Sequence, residues 1–344
     1  MALIDEILEQ PEVLRREFSS ELEEVRRIAG EIRKHDVKFV FLAARGTSDN
    51  AGLYAKYLLG AHNRIPMALA APSLFTIYGE PPRLDGALVM GISQSGQSPD
   101  IVGVLEEGKR QGCLTLAITN DPKSPLARVA DFVIDIHAGP ERAVAATKTY
   151  TAQLMAVAML SAALEDSGER FRVLERVPEM VDTVLESASE IEEMAQRYRY
   201  MEQCVVLGRG YNYATAFEWA LKLKELTYVV AQPYSSADFR HGPIAIVERG
   251  FPVMAVAPRG RVFDDMMGLM RGLVEDRRAE LVVVSNDEDA LAMARTPLSL
   301  PDMEEWISPL VSIVPAQIFT MHLTVARGLD TEQPRGLHKV TRTK

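Results

Sequence analysis

Short apolar runs alternate with helical stretches along this chain, and the same order returns in its second half. Lys38–Ala44 reads as a strand, Ser48–Leu59 as a helix, Ala87–Ile92 as a strand, Asp100–Gln111 as a helix and Leu114–Thr119 as a strand. Apolar runs of this length separated by helices call for a parallel sheet covered on both faces. Val205–Gly210 then repeats the pattern of Phe41–Gly46, with a helix after each, and Leu281–Asp287 repeats Leu114–Asp121 with one residue of slack. Arg45 and Arg209 lie 164 positions apart (209 − 45), and Asp121 and Asp287 lie 166 apart (287 − 121). Two distant landmarks that agree this closely predict duplication of a whole domain. The expected class is α/β, with two tandem domains, each a doubly wound parallel sheet flanked by helices.

The chain length of 344 residues suits two domains that each bury a core. The expected layout is a helical segment over 1–34, a first domain over 35–168, a helical linker over 169–200, a second domain over 201–328 and a tail over 329–344. A formal charge of −10 argues against nucleic acid as a partner, because phosphate backbones demand a basic face. The first residues are acidic early and lack a long apolar run, so neither a signal peptide nor a membrane span is expected there. The two cysteines, Cys113 and Cys204, each open an apolar run and read as buried thiols, which points to a cytoplasmic chain with no membrane partner.

Chemistry is concentrated after the second strand. Ser93, Gln94, Ser95 and Ser98 offer side-chain donors, Gly96 lets the backbone curl, and a helix starts near Pro99. Unpaired N–H groups and the positive end of the helix dipole make such a loop a phosphate cradle. No Lys or Arg lies between Arg83 and Lys109, so the cradle is neutral and hydroxyl-rich. It lacks the Gly-Lys-Ser/Thr ending of a Walker A box, and Ser95 stands where a hydrolase elbow needs glycine. The plain alternative is an ordinary strand-to-helix turn. The second copy has Gly210-Tyr-Asn212 and Ala257-Pro-Arg-Gly260 where the first has Gly46-Thr-Ser48 and Ser93-Gln-Ser-Gly96, so the cradle occurs once per chain.

Lys222 and Glu225 share a helix face. Spacing alone describes a solvated ion pair, but Phe217, Trp219, Leu221, Leu223, Leu226, Tyr228 and Val229 surround them with apolar side chains. A carboxylate partly buried there would gain proton affinity, which suits proton transfer between carbons. His241 sits in the polar, turn-rich stretch Ser235–Pro243, where an imidazole is suited to ring opening. The six histidines form no ligand pair with metal spacing, and Gly208-Arg-Gly210 lacks the next glycine of a dinucleotide fingerprint. No metal and no cofactor are expected.

Gly46-Thr-Ser48, Ser93–Ser98, Ala143–Lys148, Leu221–Glu225, His241-Gly-Pro243 and Gln333–Lys339, taken in this order, resemble the sugar isomerase (SIS) family. Its two-domain members include the isomerase half of glucosamine-6-phosphate synthases and stand-alone amino-sugar phosphate deaminases. The resemblance implies that Thr47, Ser48, Ser93, Gln94, Ser95 and Ser98 bind a sugar phosphate and that Val144 lines the sugar through its backbone. It implies an acid/base role for Glu225 with Lys222 beside it, ring opening by His241, and a tail whose Lys339 closes over the substrate. That amine could form a Schiff base or stabilise the open chain. It also implies a homodimer in which the histidine crosses the interface.

Ala2 stands where a glutaminase domain would begin with its cysteine, so ammonia release from glutamine is not expected. The expected reaction is conversion of glucosamine-6-phosphate to fructose-6-phosphate and ammonia. Plain phosphosugar isomerisation, deglycation of sugar–amine adducts and non-catalytic sensing of a sugar phosphate are the alternatives.

Overall fold

The computed structural model describes residues 2–339 and contains two five-stranded sheets, each wholly parallel. The first holds β1 (Phe39–Ala43), β2 (Met67–Leu69), β3 (Ala87–Ile92), β4 (Leu114–Thr119) and β5 (Phe132–Asp135), in the order β2-β1-β3-β4-β5. The second holds β6 (Gln203–Gly208), β7 (Val230–Ser235), β8 (Pro252–Val256), β9 (Glu280–Ser285) and β10 (Thr296–Ser299), in the order β10-β9-β8-β6-β7. Reversed, the second order is the first with five added to each strand number, so the duplication seen in sequence is a duplication of topology. Each sheet changes winding direction beside its first strand, between β1 and β3 and between β6 and β8. Loops at the carboxyl ends of such strands are the usual ligand position in open α/β sheets.

The chain forms two compact units. One comprises Gln10–Glu141, Lys148–Pro178 and, of the described tail, His338 and Lys339. Its core joins Phe41, Val89 and Ala117 from the sheet to Ile101, Val104, Leu105 and Leu126. The expected N-terminal helix is present as Gln10–Lys34 and packs on β5 and on the helix Lys148–Leu164, whose first sixteen residues are all buried. The other unit comprises residues 2–9, Arg142–Thr147 and Glu179–Leu337. Val205, Leu207, Val253, Ala255, Leu281 and Val283 form its sheet core, against Phe239, Met266, Met270 and Leu273. Each fully buried aliphatic side chain contributes about 1.5–3 kcal/mol relative to exposure. The helix Ser308–Ala326 is apolar and long enough to cross a membrane, but most of it is buried in this unit against Tyr213–Lys222 and Ala188–Ala195.

The helix expected over 169–200 is broken into Gly168–Glu175, Val177–Leu185, Ala188–Ala195 and a 3-10 turn at Gln196–Tyr200. Pro178 lies in the first turn of the second piece, where its missing N–H costs nothing. Cys113 and Cys204 are buried free thiols, and burial pushes the Cys204 thiol up to about 12.

One buried charge site has no precedent in the sequence pattern. Glu17, on the helix Gln10–Lys34, is fully buried, and neither carboxyl oxygen has a hydrogen-bond partner among the described residues. Burial raises its proton affinity well above the ordinary range, and the nearby carboxylates of Glu21 and Asp135 raise it further. The unfolded chain ionises Glu17 above about pH 4.3 while the folded chain holds it protonated, so its contribution is complete in acid and is lost as pH rises. Glu17→Gln is therefore expected to raise the melting temperature, with a gain that widens from pH 4 to pH 8. A constant or absent gain across that range would refute the reading.

Candidate active site

In the first unit, β3 is buried along its whole length and delivers Ser93 at its carboxyl end, where the Ser93 N–H donates to the Ile118 carbonyl at 3.1 Å. The loop then folds on its own hydroxyls. Gly96 N–H donates to Ser93 Oγ at 3.1 Å, and Gln97 N–H donates to Ser95 Oγ at 3.3 Å. The Gln94 carbonyl accepts from Asn120 N–H, and the Gly96 carbonyl accepts from Leu126 N–H at 3.2 Å. Ser98 occupies the N-cap of the helix Pro99–Arg110 without capping it through its side chain. Across the switch point, Gly46 turns with φ 55 and opens the helix Thr47–His62, again without a side-chain cap. Two helix N-termini therefore follow the two strands that flank the switch point.

Ser48 differs from its neighbours. It is buried, and its hydroxyl accepts from Gln153 Nε2 at 3.0 Å, so it ties the helix Thr47–His62 to the helix Lys148–Leu164. The structure also adds a charge that the local sequence lacks. Arg45 Nε donates to Asp100 Oδ2 at 2.9 Å, and the Asp100 side chain is fully buried in the first turn of the cradle helix. The pair is matched, so the cradle keeps its formal neutrality.

Gly96 has φ 60, and a Cβ there would meet Ser124 Oγ at 2.2 Å and Ser124 Cβ at 2.4 Å. Ser124 cannot yield freely, because its hydroxyl caps the helix Pro125–Val129 by accepting from Ala127 N–H. Gly96→Ala is expected to cost about 1–3 kcal/mol of stability. It should also weaken binding of a phosphate monoester by at least ~10-fold, as read by thermal unfolding and calorimetric titration. Unaltered binding would remove this loop from the site.

The second unit carries Lys222, Glu225, His241 and Val144. The helix Tyr213–Lys222 runs into a π-helical turn, Leu223–Thr227, which ends at Tyr228 in the left-handed region with φ 59. Such turns widen a helix by one residue and are frequent at functional sites. Here the wide turn carries Glu225. Lys222 Nζ lies 2.5 Å from Glu225 Oε2 and 3.4 Å from Glu218 Oε1. Glu218 is fully buried, Lys222 is 2% exposed, and the Glu225 side chain keeps 24% exposure. The ammonium is thus buried between a carboxylate sealed in the core and one that reaches the surface. This is an ordered, desolvated ion pair, unlike the mobile pairs that spacing alone suggests.

His241 is exposed at the C-cap of the helix Ser236–Arg240, and Gly242 follows with φ 128. Val144 is half-buried in the segment Arg142–Thr147. Glu6 holds that segment by accepting from the N–H groups of Arg142 and Ala143.

The tail takes a defined path up to the last described residue. In the second unit, Arg335 N–H donates to Tyr228 Oη at 2.7 Å, and the Arg335 guanidinium lies 4.5 Å from the centre of the Tyr228 ring. Gly336 turns with φ 74. In the first unit, Lys339 Nζ donates to Glu141 Oε2 at 2.7 Å. Glu141 is sealed from solvent and also accepts from the N–H and hydroxyl of Thr149, at 3.1 and 2.8 Å.

Sequence reasoning missed Glu141, Glu218, Tyr228 and Asp100. Glu218 was accessible, since it precedes Lys222 by one helical turn and shares its face. The contact between Glu141 and Lys339 spans 198 positions, and no periodicity announces it.

Comparison with known proteins fits this arrangement. The SIS domain matches twice, over residues 35–163 and 199–327. The glutamine–fructose-6-phosphate aminotransferase (isomerizing) of Aquifex aeolicus is 35% identical over 342 residues, covering 98% of this chain and 57% of that protein. The chain thus spans little more than half the length of such curated relatives. The C-terminal domain of glucosamine-fructose-6-phosphate aminotransferase from Francisella tularensis superposes with a TM-score of 0.88 at 30% identity, covering 97% of this chain and 98% of that one. Glucosamine-6-phosphate deaminase from Thermotoga maritima shares the fold, with a TM-score of 0.80 at 23% identity and full coverage of both chains. With two matched domains, two sheets of one topology and a relative of this similarity, the chain belongs to the SIS domain family.

Proposed function

We propose that this chain is a phosphosugar deaminase–isomerase that converts glucosamine-6-phosphate and water to fructose-6-phosphate and ammonia. The observation that carries the reading is the Glu218–Lys222–Glu225 cluster, whose buried ammonium holds Glu225 on a widened helix turn, in a chain with a single hydroxyl cradle. Thr47, Ser93, Gln94, Ser95 and Ser98, with the N–H groups of two helix starts, hold the phosphate. Ser48 supports them from below through Gln153, and the Val144 backbone lines the sugar.

His241 moves the proton from the C1 hydroxyl to the ring oxygen, which opens the ring to the aldehyde. Glu225 takes the C2 proton while the C1 oxygen gains one, giving an enolamine. Return of a proton to C1 gives the C2 imine, and water hydrolyses it to the ketose with release of ammonia. Lys222 orients Glu225 by the ion pair already in place. The Lys339 ammonium stabilises the open-chain oxygen or attacks the carbonyl as a free amine. The same first steps serve a hydroxy sugar, so plain isomerisation shares the machinery.

Ammonia release across a panel of amino-sugar and hydroxy-sugar phosphates tests the reading. Release from glucosamine-6-phosphate is the expected result. Interconversion of hydroxy sugars alone would assign a plain isomerase, and binding without any turnover would assign a sensor. The exposure of His241 on its own protomer supports a homodimer in which it serves the partner subunit. Specific activity should then fall on dilution below the dimer dissociation constant, and activity independent of concentration would place the histidine in its own chain's site.

A further inference from the structure

The duplication provides the second sheet with a counterpart to each part of the Ser93–Ser98 cradle. After β6, Gly210 turns at φ 60, as Gly46 turns at φ 55 after β1. After β8, Ala257–Gly260 stands where Ser93–Gly96 follows β3. The Arg45–Asp100 pair returns as Arg209–Asp265, at 2.8 Å. The match continues past the last strand of each sheet. Glu141 lies six residues after Asp135 (141 − 135), and Glu305 lies six residues after Ser299 (305 − 299).

The two matching carboxylates have different partners. Glu141 accepts from Thr149 and Lys339. Glu305 instead lies in the second cradle, where its Oε2 accepts from the Arg261 N–H at 2.8 Å. It passes so close to the loop that a Cβ on Gly260 would meet its Cδ at 2.3 Å. A Cβ on Gly210 would have Glu305 Oε1 3.9 Å away. In the first copy, a Cβ on Gly46 meets nothing within 4 Å. One carboxylate therefore lies against the two glycines that flank the second switch point, and it takes an N–H from Arg261, two residues before the helix start at Phe263.

We propose that Glu305 is the built-in anion of the second cradle: it takes the phosphate position of the second copy and closes that copy to phosphate monoesters, so each chain holds one. The inference rests on reading Ser93–Ser98 as the phosphate cradle. An incoming dianion would have to expel the side chain from its N–H donor and from the volume it fills, and the like charge of the carboxylate adds to that cost. With the carboxylate gone, the Arg261 N–H, the start of the helix Phe263–Glu275 and the Arg261 side chain remain as anion donors, while Arg209 and Arg259 keep their pairs with Asp265 and Asp287.

Calorimetric titration of the full chain with glucitol-6-phosphate, which has no carbonyl to react, counts the sites. Wild type should bind one equivalent. Glu305→Ala and Glu305→Ser should bind two, the second more weakly, and Glu305→Gln should stay at one because its amide oxygen can still accept from Arg261. Hydrogen exchange should show ligand protection of residues 257–262 in the Ala and Ser variants only. Two equivalents in wild type, one in both short variants, or extra protection away from 257–262 would overturn the proposal. No binding by wild type would instead overturn the reading of the first cradle and the proposal with it. Two short variants are specified so that a folding defect in one leaves the count readable in the other.

Discussion

Glu225→Gln is expected to lower turnover by about 10²–10⁴-fold, the usual worth of a positioned acid or base. It should also abolish exchange of the substrate C2 proton with solvent. Glutamine keeps the shape of the side chain and can still receive a hydrogen bond from Lys222, so substrate binding should change little. The effect is therefore expected in kcat, with KM nearly unchanged, as follows when only a transition-state role is lost. Deuterium exchange at C2, followed by NMR in heavy water, separates the proton step from everything downstream. Exchange at the wild-type rate in this variant would remove Glu225 from the mechanism.

A comparable loss, about 10²-fold or more, is expected for Lys339→Ala. Glu141 fixes this amine: a sealed carboxylate that accepts from two Thr149 donors also accepts from the ammonium. Lys339→Arg separates the two chemical roles of the amine. A guanidinium can stabilise an open-chain oxygen but cannot form an imine, so recovery of activity with Arg assigns an electrostatic role. Loss with Arg, together with borohydride trapping of the sugar on wild-type Lys339, assigns a Schiff base. Undiminished turnover in Lys339→Ala would deny the residue any chemical part.

The fold was legible where strands are buried on both faces. β3 and β4 fall on the residues read from their apolar runs, and the repeat landmarks at Val205 and Leu281 fall on β6 and β9. The edge strands were not legible. β7 contains Pro233 and β10 contains Pro297, residues that argue against a central strand, and both strands sit at the edge of their sheet, where a missing N–H is tolerated. The cradle and the Lys222–Glu225 pair were visible because their parts are close in sequence. Glu225 nevertheless sits on a π-helical turn, and a one-residue widening leaves no trace in propensity or periodicity. Glu141 and Glu305 show the opposite limit. Glu141 lies in an irregular loop and Glu305 opens the short 3-10 helix Glu305–Ile307, and only the sheets on either side show that they are counterparts.

The interleaving of the two units sets a schedule for making the protein. The helix Ala2–Leu8 belongs with residues 179–337 and packs on the helix Ser308–Ala326, about 300 residues further along the chain. At roughly 5–20 residues per second of synthesis, that partner emerges about 15–60 s after the first helix. For that interval Leu3 and Ile7, both buried in the finished molecule, have no place to go. A chain stalled or cut before Ser308 would therefore present them to chaperones, whatever the state of its first sheet.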